Sequence, residues 1–74
     1  MVIFGLRFYF FSREHLPIHV HVENADGKAR FEVEPVRLIE NKGMKAKNIR
    51  LAESIIEENK EVMIQRWKEY FGQE

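Results

Sequence analysis

The sequence predicts an α+β domain: an antiparallel sheet of three to four strands followed by two C-terminal helices packed on one face. Three observations predict it. The first half alternates apolar and polar residues with the period of a strand, the second half carries apolar residues at helical spacing, and Asp26-Gly27 stands between two alternating runs as a hairpin signal. Runs of strands followed by runs of helices give a layer of helices on one sheet face. The chain of 74 residues is one domain, residues 1–74. A chain this short buries roughly 60% of its unfolded surface, so its stability rests on dense packing or on a partner chain. Six Phe, two Tyr and one Trp supply the large packing groups.

In the first strand, Val2 to Phe11, the even residues Val2, Phe4, Leu6, Phe8 and Phe10 share one face, which is assigned to the core. Ile3, Gly5, Arg7, Tyr9 and Phe11 take the other, mixed face. This apolar stretch lacks the basic start and small-residue cleavage site of a signal peptide, carries Arg7 in mid-run and is too short to span a bilayer. Ser12 to Pro17 is a polar connection. Ile18, Val20 and Val22 then alternate with His19, His21 and Glu23 as a second strand. Ala29, Phe31 and Val33 alternate with Arg30, Glu32 and Glu34 as a third.

With Asp26-Gly27 as a two-residue loop, Val22 faces Phe31 and Val20 faces Val33, while Glu23 meets Arg30, His21 meets Glu32 and His19 meets Glu34. Every pair matches in character. A loop one residue longer breaks the match. A four-residue loop, Asn24 to Gly27, keeps the face assignment but sets His21 opposite Arg30; the shorter loop is preferred. Pro35 interrupts the third strand, Val36 to Ile39 forms a short edge strand, and Asn41 to Gly43 turns the chain.

From Lys45 to Glu58, Ile49, Leu51, Ala52, Ile55 and Ile56 fall within one arc of a helix. The stripe loses phase at Asn59, the expected N-cap of a second helix bearing Met63, Ile64, Trp67, Tyr70 and Phe71. Phe4, Leu6, Phe8, Phe10, Ile56, Met63 and Trp67 are therefore expected to be buried together. The open sheet face would keep Ile3, Tyr9, Phe11 and Ile39, apolar area that a two-fold homodimer or another protein partner covers.

Twelve basic and twelve acidic residues cancel, so net charge points neither to nucleic acid nor to an acidic membrane. Charge is uneven, however. Lys42, Lys45, Lys47 and Arg50 form a basic run at the start of the first helix, a weak candidate for phosphate or nucleic acid assisted by backbone N–H groups. With no cysteine there are neither disulfides nor thiolate ligands, which accords with a cytoplasmic setting.

The chemistry-bearing cluster is His15, His19 and His21 with Glu23, Glu32 and Glu34. Residues i and i+2 of a strand point to one side, so His19 and His21 present a pair of imidazoles to a divalent metal such as Zn, Fe or Mn. His15 or a carboxylate would complete the set for a metal-dependent or His-based hydrolase or nuclease. The bland alternative is a ladder of cross-strand His–Glu pairs on a solvated face. His19-Val20-His21-Val22 begins like a histidine triad but ends in Glu23, and the chain is too short for that fold. Gly-rich phosphate loops and nucleophile elbows do not occur.

Glu14-His15-Leu16-Pro17-Ile18-His19-Val20-His21-Val22 resembles the signature of a small prokaryotic family catalogued as domain of unknown function 4160, which reads Glu-His-x-Pro-Pro-His-aromatic-His-hydrophobic after an aromatic-rich strand. Ile18 replaces the second proline and Val20 the usual aromatic, and loss of that proline leaves the approach to the second strand less rigid. The outline continues through the paired helices and Trp67. The resemblance implies that His15, His19 and His21 belong together. It also implies a protein partner, since family members look like halves of toxin–antitoxin-like pairs. It assigns no activity.

Overall fold

Phe4 and Gly5 both adopt left-handed backbone, with φ of 52° and 79°. Two consecutive positive φ values make a tight hairpin, and glycine at the second position removes the steric cost there. The expected single first strand is therefore two: β1 (Val2–Ile3) and β2 (Leu6–Tyr9), paired with Val2 opposite Arg7 and Ile3 opposite Leu6. The computed structural model describes residues 1–10 and 17–71, the side chains of 70 and 71 aside. Among these residues β1, β2, β3 (His19–Glu23), β4 (Lys28–Val33) and β5 (Val36–Lys42) form one antiparallel five-stranded sheet in chain order, followed by α1 (Ala46–Glu58) and α2 (Lys60–Phe71). Counted with the short edge strand the expectation is at most four strands, and the fifth arises because the first strand folds back on itself. No helix among the described residues is long and apolar enough to cross a membrane.

The hairpin at Phe4-Gly5 inverts the parity of β1 relative to β2. Ile3 consequently lies beside Leu6 and packs against the core, not on the open face, while Val2 falls on the open side with Arg7. Phe4, expected in the core, sits at the turn and is 80% exposed. Phe11, Tyr70 and Phe71, also given packing roles by the sequence, have side chains outside the described set.

The β3–β4 hairpin takes the longer of the two loops that preserve parity. Val20 faces Phe31, Val22 faces Ala29, His19 faces Glu32, His21 faces Arg30 and Glu23 faces Lys28. Asn24 decides this. Its Oδ1 accepts from the backbone N–H groups of Asp26 (2.9 Å) and Gly27 (3.2 Å), and its own N–H donates to the Gly27 carbonyl (3.0 Å). An Asx turn closing on its own backbone competes with, and here displaces, the two-residue turn. Gly27 also passes so close to the end of β5 that a Cβ would collide with the Lys42 carbonyl oxygen, so the position excludes any side chain.

β5 leaves β4 through the Glu34-Pro35 turn, whose peptide bond is cis, and runs through Lys42 rather than ending at Ile39. It tolerates the extra length through a bulge: Arg30 pairs with Glu40 but Phe31 with Leu38, leaving Ile39 as the inserted residue. Asn41 then bridges to α1, its side chain bonding both the N–H and the carbonyl of Met44 at 3.0 Å.

The covered face holds Leu6, Phe8, Val20, Val22, Ala29, Phe31 and Val33 against Ala52, Ile55, Ile56, Met63 and Trp67, all buried; Phe10 is partly buried, its ring edge-on to Trp67 at 5.5 Å. α1 packs on β4 and β5, and α2 on β4. Each large aliphatic or aromatic side chain sealed this way contributes about 1.5–3 kcal/mol. Asn59 joins the helices differently from expectation. Its carbonyl accepts the Met63 N–H as an N-cap residue does, but its side chain reaches back to the Ile55 carbonyl (2.8 Å) and caps the end of α1.

Candidate functional site

Strand alternation sends Arg7 and Tyr9 of β2, His19, His21 and Glu23 of β3, Arg30 and Glu32 of β4, and Arg37 and Glu40 of β5 to the face opposite the helices. Pairing sets Arg7 against Glu23 and Tyr9 against His21. The Tyr9 hydroxyl donates to Glu23 Oε1 at 2.8 Å, and an Arg7 guanidinium nitrogen lies 3.4 Å from the same oxygen. The Arg7 guanidinium also sits 5.3 Å from the Tyr9 ring centre, and the His21 imidazole stacks on that ring at 5.5 Å with an 18° tilt. Four side chains from two strands thus fix one another.

The electrostatics follow from those contacts. The Tyr9 phenol is pushed above its usual range by partial burial and by the carboxylate to which it donates. The Glu23 carboxyl is held below its usual range, first by the Tyr9 hydrogen bond, with Arg7 adding to the effect. Tyr9 therefore keeps its proton and Glu23 its charge across the neutral range.

His19 stands at the end of β3, where its ring lies 5.7 Å from that of His21 on the open face and also 5.5 Å from Trp67 of α2, so it borders both faces. Its Nδ1 lies 2.8 Å from the Pro17 carbonyl oxygen. A carbonyl only accepts, so in the neutral ring Nδ1 carries the proton and Nε2 the lone pair. Glu32 is drawn away toward β5, where Arg37 contacts one carboxylate oxygen through Nε (2.9 Å) and a terminal nitrogen (2.7 Å). Arg30 reaches Glu40 at 3.7 Å, while its Nε is buried with no hydrogen-bond acceptor. That guanidinium is held on this face at a cost in desolvation.

The expected cluster is accordingly redistributed. His19, His21 and Glu23 share the face as the alternation requires, but the His21–Glu32 and His19–Glu34 pairs do not form. Glu32 lies opposite His19 and Glu34 is exposed in the turn before β5. His15 lies outside the described residues, and among the described residues no three His, Asp or Glu side chains converge on a point that could hold a metal ion. The basic run is split between two elements. Lys42 is on β5 with Glu40 at 3.6 Å, whereas Lys45, Lys47 and Arg50 are exposed at the start of α1. Arg7, Tyr9 and Arg30 were absent from the sequence-based cluster. Their signal was the odd parity of Arg7 and Tyr9 on β2, legible once β2 is known to pair with β3.

No match is found among curated proteins or among solved structures. A family model described as Domain of unknown function (DUF4160) matches residues 5–68, from the turn glycine that opens β2 to the last turns of α2, and takes in every residue of the open-face cluster. The chain belongs to that family.

Proposed function

We propose that the chain is a protein-binding accessory module, one half of a toxin–antitoxin-like pair, which meets its partner through the open face of the sheet. The observation that carries this reading is the preformed Arg7–Tyr9–His21–Glu23 cluster on the face opposite the helices. Tyr and Arg are the residue types that most often dominate protein interfaces, and side chains already held in place lose little entropy on binding. Among the described residues, each strand carboxylate on this face is matched with a basic side chain, Glu23 with Arg7, Glu32 with Arg37 and Glu40 with Arg30. Such mixed charge favours a polar protein surface over a polyphosphate. The test is co-expression with the product of the adjacent gene. The two proteins should co-purify; Tyr9→Ala and His21→Glu should each weaken the pair at least about 30-fold; Glu53→Lys, on the exposed side of α1, should not. A pair that survives both open-face substitutions, or no pair at all, refutes the reading.

A second reading has one observation in its favour. A divalent Zn, Fe or Mn ion held by His19 and His21 for hydrolase or nuclease chemistry would draw on the Pro17–His19 contact, which orients the imidazole as metal-bound histidines are commonly oriented. Arg30, rather than a carboxylate, stands opposite His21 and works against a cation there. Calorimetric titration of tag-free protein with each ion decides it: a site tighter than millimolar that is lost in His21→Ala and on acidification supports the metal. Its absence leaves the binding-module reading.

A further inference from the structure

Strand alternation sends more positive than negative charge to the open face. Arg7, Lys28, Arg30, Arg37 and Lys42 stand there against Glu23, Glu32 and Glu40, an excess of cations before either histidine is counted. The excess is not spread evenly. Arg37 closes on Glu32 at 2.7 and 2.9 Å, and Arg7 shares Glu23 with the Tyr9 hydroxyl, so those two cations are already spent.

The unspent charge gathers at one place. Lys28 and Arg30 lie two residues apart on β4, roughly 7 Å along the strand, and Lys42 of β5 is the cross-strand neighbour of Lys28, about 5 Å away. Among the described residues, Glu40 is the one carboxylate in salt-bridge reach of this triad. It stands 3.7 Å from Arg30 and 3.6 Å from Lys42, beyond hydrogen-bond length to both. Lys28 is exposed and faces a like charge across the ladder, an arrangement that works against the sheet. Arg30 keeps a buried Nε with no acceptor. Three cations thus share a single carboxylate.

We infer that the Lys28–Arg30–Lys42 triad is the docking point for an acidic protein segment, one that brings two or more carboxylates to the open face. The inference rests on the protein-binding reading of that face and supplies the chemistry of the partner. One carboxylate set between Lys28 and Lys42 relieves their repulsion. A second meets the terminal nitrogens of Arg30, whose planar fork suits a carboxylate. In an extended segment, residues i and i+2 also stand about 7 Å apart, so alternate acidic side chains match the Lys28–Arg30 spacing. A nucleic-acid strand fits less well. It carries a charge at every nucleotide, and Glu23 on β3 and Glu40 on β5 flank β4 on both sides.

Titration of the full chain with a deca-glutamate peptide at low salt, followed through backbone amide NMR shifts, tests this. The amides of Lys28, Arg30 and Lys42 should shift saturably, while those of Lys45, Lys47 and Arg50 at the start of α1 should not. Lys28→Gln combined with Lys42→Gln should weaken the peptide at least about tenfold with the melting temperature unchanged. Glu40→Gln removes the competing carboxylate and should tighten binding about threefold or more. No saturable shift at the triad up to millimolar peptide, shifts centred on Lys45, Lys47 and Arg50, or a Glu40→Gln chain that binds no tighter would overturn the inference. So would tighter binding of an oligothymidylate of equal length, which would assign the triad to phosphate. Co-purification with the adjacent gene product separates this inference from the reading beneath it. A pair that needs Tyr9 and His21 but ignores the double lysine substitution overturns the triad alone, whereas peptide binding by a chain that forms no pair overturns the paired-module reading alone.

Discussion

Phe31 and Arg30 are neighbours on β4, yet Phe31 is wholly buried beneath the helices and Arg30 lies on the opposite face among charged partners. One face is held by shape: Leu6, Phe8, Val20, Val22, Phe31 and Val33 are almost fully sealed. The other is held by directional contacts among Arg7, Tyr9, His21 and Glu23, most of them in reach of water. Substitutions on the first face should therefore read out in stability, and substitutions on the second, where directional contacts in reach of water contribute little to stability, should leave the fold in place.

Phe31→Ala is the sharpest way to break that contrast. It should cost about 3–5 kcal/mol, enough to unfold much of so small a domain, measured by urea denaturation. A protein that keeps its midpoint would show that the helices do not seal this face. Gly27→Ala comes next. A Cβ colliding with the Lys42 carbonyl forces β4 and β5 apart at their ends, at a cost of roughly 1–3 kcal/mol in the same assay. Asn24→Ala removes the acceptor for two backbone N–H groups and should cost about 1 kcal/mol. If Asn24 sets the loop length, amide exchange in that variant should also rise at Asp26 and Gly27 before anywhere else in the hairpin.

The smallest effect belongs to the open face. Tyr9→Phe removes the donor to Glu23, and because that bond is solvent-accessible the stability loss at neutral pH should be slight. Its pH signature is the better measure. Glu23 has a depressed folded-state pKa, so its contribution is present above the ordinary glutamate range, about 4.3, and is lost as pH falls through the folded value. Tyr9, with a raised one, contributes below the ordinary tyrosine range, about 10, and its share is lost as pH rises through the folded value. Tyr9→Phe should flatten both limbs of the melting temperature against pH. An unchanged acid limb would mean that Glu23 is held by Arg7 instead.

The periodicity of β3, β4 and α1 was plain because each has one face or stripe buried: Val20 and Val22, Phe31 and Val33, Ala52, Ile55 and Ile56 all sit where alternation or helical spacing put them. What escaped was local turn chemistry. Phe4-Gly5 reads as two residues of an aromatic strand because phenylalanine is a poor turn former. Only the left-handed pair of φ values separates a hairpin from a strand there. Asp26-Gly27 is a strong turn signal, but Asn24 two residues earlier offers its side chain to the same N–H groups and wins. That shift of two left the faces intact and exchanged the partners, so His21 gained Arg30 and lost Glu32. The candidate site was thus legible as a set of residues on one face and illegible as a set of contacts, since contacts depend on register.

The bulge at Ile39 governs how this protein behaves in a crowd. An outermost strand of seven residues is a template on which any extended chain could crystallise, one backbone after another, into a fibre. Here the regular spacing of donors and acceptors lasts only from Val36 to Leu38 before the inserted residue throws it out of step, and Arg37, Glu40 and Lys42 ring the break with charge. At the other end β1 is two residues long. The sheet is finite by construction, and whatever assembles around this chain must do so through its side chains.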